Sequence, residues 1–193
     1  MNAAWRARAI LADPAGAWSR IETEPDDAAN LLTSYVVLLA LIPAVFGFVG
    51  ACVVGTIVPG VGVVRAPILD GLFRAVFGYV TTCATVLLLG LLINALAPRI
   101  GGHGNFDSAF KLAVYSYTPV WLAGIFLLAP GLRFLGLTGL YGAYILWCGL
   151  PRLMKTPARR VPPYAAVIVV GSCALTLITA AAARHALFGS AGL

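Results

Sequence analysis

Side chains suited to catalysis are few and widely separated in this chain of 193 residues. Its two histidines, His103 and His185, have no adjacent carboxylate or cysteine that would orient an imidazole for acid-base chemistry. The HExxH metal motif, the GxSxG nucleophile motif and the Walker phosphate loop are all absent. The sequence therefore predicts no enzymatic activity and no cofactor.

The four cysteines are also far apart and lack the CxxC spacing of a zinc site. Each lies in a long apolar stretch, where a thiol packs as a small apolar side chain. We expect no metal at these residues, which are Cys52, Cys83, Cys148 and Cys173.

A set of uncharged polar residues does lie within the apolar stretches, at Asn94, Tyr115, Tyr117 and Thr118. A path for a polar solute through a membrane needs buried polar groups of this kind. The same side chains are also suited to hydrogen bonds between helices. Two hypotheses follow: a small-solute transporter or channel, and a helical bundle that these groups hold together.

The elements that must position these residues are five apolar stretches without charged side chains. The chain is 61% hydrophobic and only 10% charged, against roughly 25% charged residues in soluble domains. A charge at the bilayer centre costs about 2.5–3.5 kcal/mol, and about 20 helical residues cross the hydrocarbon core. The pattern predicts an all-α polytopic bundle with five transmembrane helices, at 31–58, 75–96, 112–128, 134–150 and 164–183.

Between the first two predicted helices lies an apolar connector, residues 61–70, with little regular periodicity. We expect it to lie in the outer interface of the membrane or to form a shallow re-entrant segment.

The positive charges predict an orientation. If the N-terminus is cytoplasmic, nine of the 13 lysines and arginines fall on the cytoplasmic side and four outside, as the positive-inside rule requires. The nine are Arg6, Arg8, Arg20, Arg99, Lys111, Arg152, Lys155, Arg159 and Arg160, and the four are Arg65, Arg74, Arg133 and Arg184. Because these cations lie at the ends of apolar stretches and not on one face with stacking aromatics, we expect no nucleic-acid partner.

Four of the cytoplasmic cations lie close together after the fourth predicted span, at Arg152, Lys155, Arg159 and Arg160. They are suited to bind anionic lipid headgroups, at up to about 1 kcal/mol per cation near the surface. The alternative is that they only fix the topology.

The first 30 residues are predicted to form short amphipathic helices. Asp13 is suited to cap a helix whose first residue is Pro14, and Trp18 and Ile21 fall on one face of it. This segment would either lie on the cytoplasmic headgroups, with Trp5 and Trp18 as interfacial anchors, or pack on the bundle.

Two predicted spans carry regularly spaced small residues, which let a second helix approach closely. The spacing predicts helix-packing faces, either within the molecule or between copies. The first face repeats every four residues and the second every three: Gly47, Ala51 and Gly55, then Gly136, Gly139 and Gly142.

Several short motifs extend along most of the chain. They include Asp13-Pro14, Leu41-Ile42-Pro43-Ala44, Tyr115 to Pro119, and Gly149-Leu150-Pro151 followed by Met154-Lys155 and Pro157. In these motifs the chain resembles the Yip-one (Ypt-interacting protein one) domain family of five-span membrane proteins, most of all its short prokaryotic branch. The resemblance implies a five-helix domain with a cytoplasmic N-terminus and no catalytic residue. Eukaryotic members bind prenylated Rab-type GTPases. They also carry a longer cytoplasmic N-terminal region with an Asp-Leu-Tyr-Gly-Pro type motif, which is absent here.

Together, these features predict a non-enzymatic protein of the bacterial inner membrane that acts as a scaffold, membrane organiser or accessory subunit. Its expected partners are membrane lipids and either further copies of itself or the subunits of a larger membrane complex. The predicted organisation is an interfacial segment at 1–30, a transmembrane domain at 31–187 and a C-terminal tail at 188–193.

The nine-to-four distribution of cations makes the orientation testable. Alkaline phosphatase fused after residue 188 is expected to be active, and green fluorescent protein at that point to be dark, since positive-inside sorting places this end outside. Fusions after residue 157 serve as the control and are expected to give the opposite result. This residue lies in the basic loop, the segment that carries Arg152, Lys155, Arg159 and Arg160. The reverse pattern at both points would show that the orientation is wrong.

Overall fold

The computed structural model describes residues 3–24 and 27–188 of the chain. The predicted C-terminal tail, 188–193, lies outside the described residues except for residue 188, where the last helix ends. The side chains of Arg184 and His185 are likewise outside the described part.

Two short helices precede the membrane spans: α1, Ala3–Ala12, and α2, Pro14–Ile21. Asp13 caps α2 as predicted, because its carboxylate accepts a hydrogen bond from the Gly16 N–H at 3.0 Å. Pro14 occupies the first turn, where a missing N–H costs nothing.

Five helical segments are long and apolar enough to cross a membrane, which confirms the predicted all-α polytopic bundle. The first runs from Ala28 to Val54 and consists of α3, Ala28–Leu31, α4, Val37–Val49, and two short π-helical turns. The other long helices are α5, Ile68–Leu96, α6, Phe106–Ala123, α7, Tyr141–Leu153, and α8, Val161–Phe188.

The predicted ends of several helices were wrong by one to two turns. Helix α5 begins at Ile68 and not at residue 75, and α6 begins at Phe106 and not at residue 112. The prediction used charges as boundaries, but long charged side chains near a helix end can extend to the interface. The actual start signals are the rigid φ of Pro67 and the side chain of Asn105, which caps α6.

The connector between the first two spans is a β-hairpin, which the sequence analysis did not predict. Strand β1, Thr56–Val58, pairs antiparallel with β2, Gly62–Val64, with Ile57 opposite Val63. Gly60 and Gly62 have φ angles of +80° and +98°, a conformation that glycine adopts without strain. The first span therefore ends at Val54, four residues earlier than predicted.

Helix α6 is the centre of the bundle. In its span, 67% of the most hydrophobic window is buried inside the protein, against 22–28% in the other four spans. It packs against α4, α5 and α7, while α8 lies against α5 and α7. The other helices therefore surround α6 and turn most of their apolar surface toward lipid.

The fourth span begins as a 3₁₀ helix, Pro130–Leu140, and continues as α7. A 3₁₀ helix has three residues per turn, so side chains three apart eclipse each other and long runs are uncommon. The predicted small-residue face, Gly136, Gly139 and Gly142, repeats at this interval. Gly136 and Gly139 therefore leave the later part of one row of the 3₁₀ segment without side chains, and Gly142 follows in the first turn of α7.

This glycine row contacts the central helix at two of its three positions. A Cβ placed on Gly139 would lie 3.3 Å from Cα of Val120, and one on Gly142 would overlap the carbonyl oxygen of Ser116. A Cβ on Gly136 would meet nothing within 4 Å. Spans three and four thus pack as an antiparallel pair on either side of the short connection at Ala129.

The first span packs closely on the 3₁₀ segment that ends span three, Gly124–Leu128. A Cβ on Gly124 would lie 2.7 Å from Cα of Pro43, and one on Gly50 would overlap the carbonyl oxygen of Leu127. Gly47 of the predicted face lies near the Leu127 side chain, while Gly55 has a φ of +82° at the start of the hairpin. Gly50, which the every-four pattern omits, makes the closest approach.

Leucine substitutions in the glycine row test this packing. We expect Gly142→Leu to lower the stability of the bundle by about 1–3 kcal/mol or more, since the new side chain overlaps the backbone of α6. Gly136→Leu is the matched control, because its Cβ enters open space. Thermal unfolding in detergent measures both, and equal midpoints for the two variants would contradict the proposed contact.

Candidate functional site

The N-terminal helices pack on the end of the bundle, each with one face buried against it. The side chain of Trp18 is 0% exposed, and its indole N–H donates to the carbonyl oxygen of Ile145 at 3.0 Å. Ile21 is buried beside it. Of the two placements predicted for this segment, packing on the bundle is the one observed for Trp18, because its face of α2 is covered by α7. Trp5 is 48% exposed and remains suited to the role of an interfacial anchor.

A charged cluster at this end of the bundle joins the N-terminal segment to α6. The guanidinium of Arg6 lies 2.7 Å from a carboxylate oxygen of Glu24 and 5.7 Å from the centre of the Tyr115 ring. The ammonium of Lys111, which is buried, donates to the carbonyl oxygen of Glu24 at 2.9 Å. Burial lowers the pKa of Arg6, but its hydrogen bond to Glu24 and nearby charges outweigh this and raise it overall.

Below this cluster, an aromatic group connects the first span with α6. The hydroxyl groups of Tyr35 and Thr118 are hydrogen-bonded at 2.9 Å, and both residues are buried. The rings of Tyr35 and Tyr115 meet edge to face, with centres 5.2 Å apart, and Trp18 contacts Tyr115 in the same way at 6.0 Å. The N-terminal helices, span one and span three are therefore linked through one set of side chains.

The four residues of the predicted intramembrane polar site do not come together. Tyr117 faces away from Tyr115: its ring packs on Trp121, and its hydroxyl lies 3.5 Å from that of Thr176 on α8. Asn94 lies near the C-terminal end of α5, where its side-chain oxygen lies beside Gly104 in the loop before α6. Tyr115 and Thr118 remain linked through Tyr35, so three separate locations replace the single predicted site.

A polar cavity of about 420 Å³ lies beside the charged cluster. Its walls carry both cations and carboxylates together with hydroxyl and amide groups, and Asn94 and Tyr117 are not among them. The lining residues are Ala3, Arg6, Glu24, Asp27, Asn30, Leu31, Ser34, Tyr35, Lys111 and Tyr115. No group of three metal-ligating side chains occurs in the described part of the chain.

The predicted headgroup cations lie at the same end of the bundle. Arg152, Lys155, Arg159 and Arg160 are all exposed, and Lys155 forms an ion pair with Glu22 just after α2. Part of this basic loop thus binds the N-terminal segment, which the sequence analysis did not predict. The loop before α6 is held to it as well, since the His103 N–H donates to the carbonyl oxygen of Met154 at 2.9 Å.

Sequence analysis also missed Arg6, Tyr35 and Lys111 as members of this site. Tyr35 lies in a strongly apolar stretch, where it was the one aromatic hydroxyl of the first predicted span and so carried a detectable signal. Arg6 and Lys111 were counted only as topology signals. Their pairing with residue 24 joins positions 18 and 87 residues apart along the chain, and no local pattern encodes such a pairing.

The fold and this site define an integral membrane protein: a five-span helical bundle with its N-terminal helices docked on one end. The chain belongs to the Yip1 domain family, whose model matches residues 8–180. It is similar to the inner membrane protein YohC of Escherichia coli K12, with 26% identity over 139 residues, 70% of this chain and 71% of the relative. YohC of Escherichia coli O6:H1 strain CFT073 matches to the same extent. No solved structure matches the chain.

Removing the Trp18 side chain tests whether it holds the N-terminal helices on the bundle. Trp18→Ala is expected to raise the rate of trypsin cleavage at the exposed Arg8 and Arg20 by about tenfold or more, since losing a buried Trp costs about 3–5 kcal/mol. Trp5→Ala, at a half-exposed position, is the control. Equal cleavage rates in the two variants would contradict a docking role for Trp18.

Proposed function

We propose that this protein is a non-enzymatic component of the bacterial inner membrane that acts as a scaffold, membrane organiser or accessory subunit. The location is supported by the similarity of the chain to YohC of Escherichia coli, an inner membrane protein. A cytoplasmic N-terminus is supported by the distribution of cations. In this orientation, the charged cluster and the basic loop lie on the cytoplasmic side.

The observation that carries the proposal is the use of the polar intramembrane side chains. Tyr35 and Thr118 bond to each other, the indole N–H of Trp121 donates to the Thr82 hydroxyl at 3.3 Å, and Trp18 donates to the backbone of α7. Groups that hold helices together are not free to exchange partners with a moving solute. The arrangement therefore supports a fixed bundle.

The outer surface of the bundle offers the means of association. Large apolar side chains are exposed on all five spans, most of them on the four outer ones, for example Leu38, Leu91, Trp147 and Val170 at 45–68% exposure. Such surfaces pack against lipid or against the helices of other chains. The exposed cations of the basic loop, Arg152, Arg159 and Arg160, add attraction for anionic headgroups of about 1 kcal/mol each.

The alternative function is a small-solute transporter or channel. The polar cavity beside Tyr115 is the observation that favours it, because its walls could bind a small polar molecule. The separation of Asn94, Tyr115 and Tyr117 argues against this function. Tyr115 lines the polar cavity, Tyr117 lines two other cavities, and Asn94 lines none of the three.

Native purification and a flux assay distinguish the two functions. From native membranes in lipid particles, we expect the chain to copurify with a stoichiometric protein partner or as a homo-oligomer. In liposomes, we expect no flux of sugars, amino acids or inorganic ions above that of empty vesicles. Tyr35→Phe should destabilise the bundle by about 0.5–1.5 kcal/mol, since Thr118 loses its closer hydrogen-bond partner and keeps only the Val114 carbonyl oxygen at 3.5 Å.

A monomer without a protein partner would contradict the scaffold role. A solute flux that Tyr115→Phe, in the wall of the polar cavity, abolishes without changing stability would instead establish the transporter.

A further inference from the structure

Two adjacent cavities, together called the groove, lie on the side of the bundle between α5, α6 and α8, and the hydroxyl groups of Tyr117 and Thr176, 3.5 Å apart, lie between them. The first, about 280 Å³, extends along α5 from Phe73 to Thr85. The second, about 470 Å³, continues between α7 and α8 over the surface of α6. Tyr117 and Thr176 line both cavities, so they mark the junction.

The chemistry of the groove changes along its length. At the end near the hairpin its walls carry Arg74 and then the hydroxyl groups of Thr81, Thr82 and Thr179. Beyond the junction the walls are mainly apolar, with Leu146 and Ile168 among them. This order, from charged through polar to apolar, is that of a phospholipid from its phosphate to its acyl chain.

The charge of the groove is suited to an anion. Arg74 lines it and no carboxylate does, among the described residues. A guanidinium has five N–H donors, so Arg74 can bind a phosphate while it keeps a contact within the protein. Arg74 lies on the second turn of α5, the depth at which a cation meets the headgroup layer.

The threonine hydroxyls next to Arg74 already donate within their helices. Thr81 donates to the carbonyl oxygen of Gly78 at 3.1 Å, and Thr179 donates to that of Thr176 at 3.0 Å. Their oxygen atoms retain lone pairs, which can accept hydrogen bonds from water or from a headgroup hydroxyl. This part of the groove therefore suits the hydrated region between a phosphate and its acyl chains.

We propose that this groove is a binding site for a phospholipid with an anionic headgroup, taken from the leaflet on the hairpin side of the membrane. The phosphate binds Arg74, and an acyl chain lies in the apolar cleft between α7 and α8. The groove is continuous with the lipid-facing surface of the spans, because Phe73 and Leu177 line it and are 46% and 67% exposed. This site is separate from the basic loop at the other end and does not depend on the scaffold role.

The test uses the full chain in nanodiscs of mixed phosphatidylglycerol and phosphatidylcholine, released into the gas phase for native mass spectrometry. We expect the wild type to retain phosphatidylglycerol in preference to phosphatidylcholine. Arg74→Gln should reduce that preference about fivefold, the ratio for one cation near a membrane surface. Arg74→Lys should restore most of it, and Arg133→Gln, at an exposed cation outside the groove, should leave it unchanged.

A second pair of variants tests the acyl-chain cleft. Ala143→Phe fills the cleft and should reduce retention of both lipids, whereas Ala174→Phe, on an exposed face of α8 outside the groove, should not. Inorganic phosphate at millimolar concentration should not displace the bound lipid.

Four results would overturn the proposal. The first two are equal retention of the two lipids by the wild type and the same lipid preference in Arg74→Gln as in Arg133→Gln. The other two are displacement of the lipid by inorganic phosphate and unchanged lipid retention in Ala143→Phe. Unfolding midpoints of all variants are measured in parallel, so that loss of lipid is compared only between folded proteins.

Discussion

The lack of hydrogen-bond partners in lipid is the constraint on which the rest of this structure depends. Helix α6 carries the most polar run of any span, and in hydrocarbon its side chains need partners inside the protein. The bundle meets most of this need by placing α6 at its centre, where Tyr35 of the first span bonds to Thr118 and Thr176 of α8 lies 3.5 Å from the Tyr117 hydroxyl. The buried hydroxyl of Ser116 has no hydrogen-bond partner among the described residues. Lys111 near the start of α6 is buried too, and it donates to the backbone of the N-terminal segment.

The two ends of the bundle differ because of this arrangement. At one end, α1, α2 and the basic loop are joined by ion pairs, Arg6 with Glu24 and Lys155 with Glu22. At the other end, the connector is an apolar hairpin with Ile57 76% and Val61 74% exposed. The first end is held together by ion pairs between distant segments, whereas the second combines an apolar hairpin with Arg65 and Arg74 close by.

Sequence patterns predicted the number of spans but only part of their packing. The glycine row at intervals of three was recognised, but its use in a 3₁₀ segment was not, because period alone does not distinguish a 3₁₀ helix from an α-helical face. The predicted row in the first span omitted Gly50, since close approach depends on the crossing point with the Gly124–Leu128 segment. The hairpin was missed because strands of three residues have too few positions to show alternation.

The sequence by itself determined that the chain is a five-span membrane protein with an Asp13-capped amphipathic helix before the first span. Those features follow from local composition: burying charge in hydrocarbon is costly, and a cap acts within one turn. Only the tertiary structure decided which polar residues meet. It separated Asn94, Tyr115 and Tyr117, and it buried Trp18 against α7. The physical reason is that the direction of a side chain depends on the rotation and crossing of its helix, which are set by contacts between residues distant in sequence.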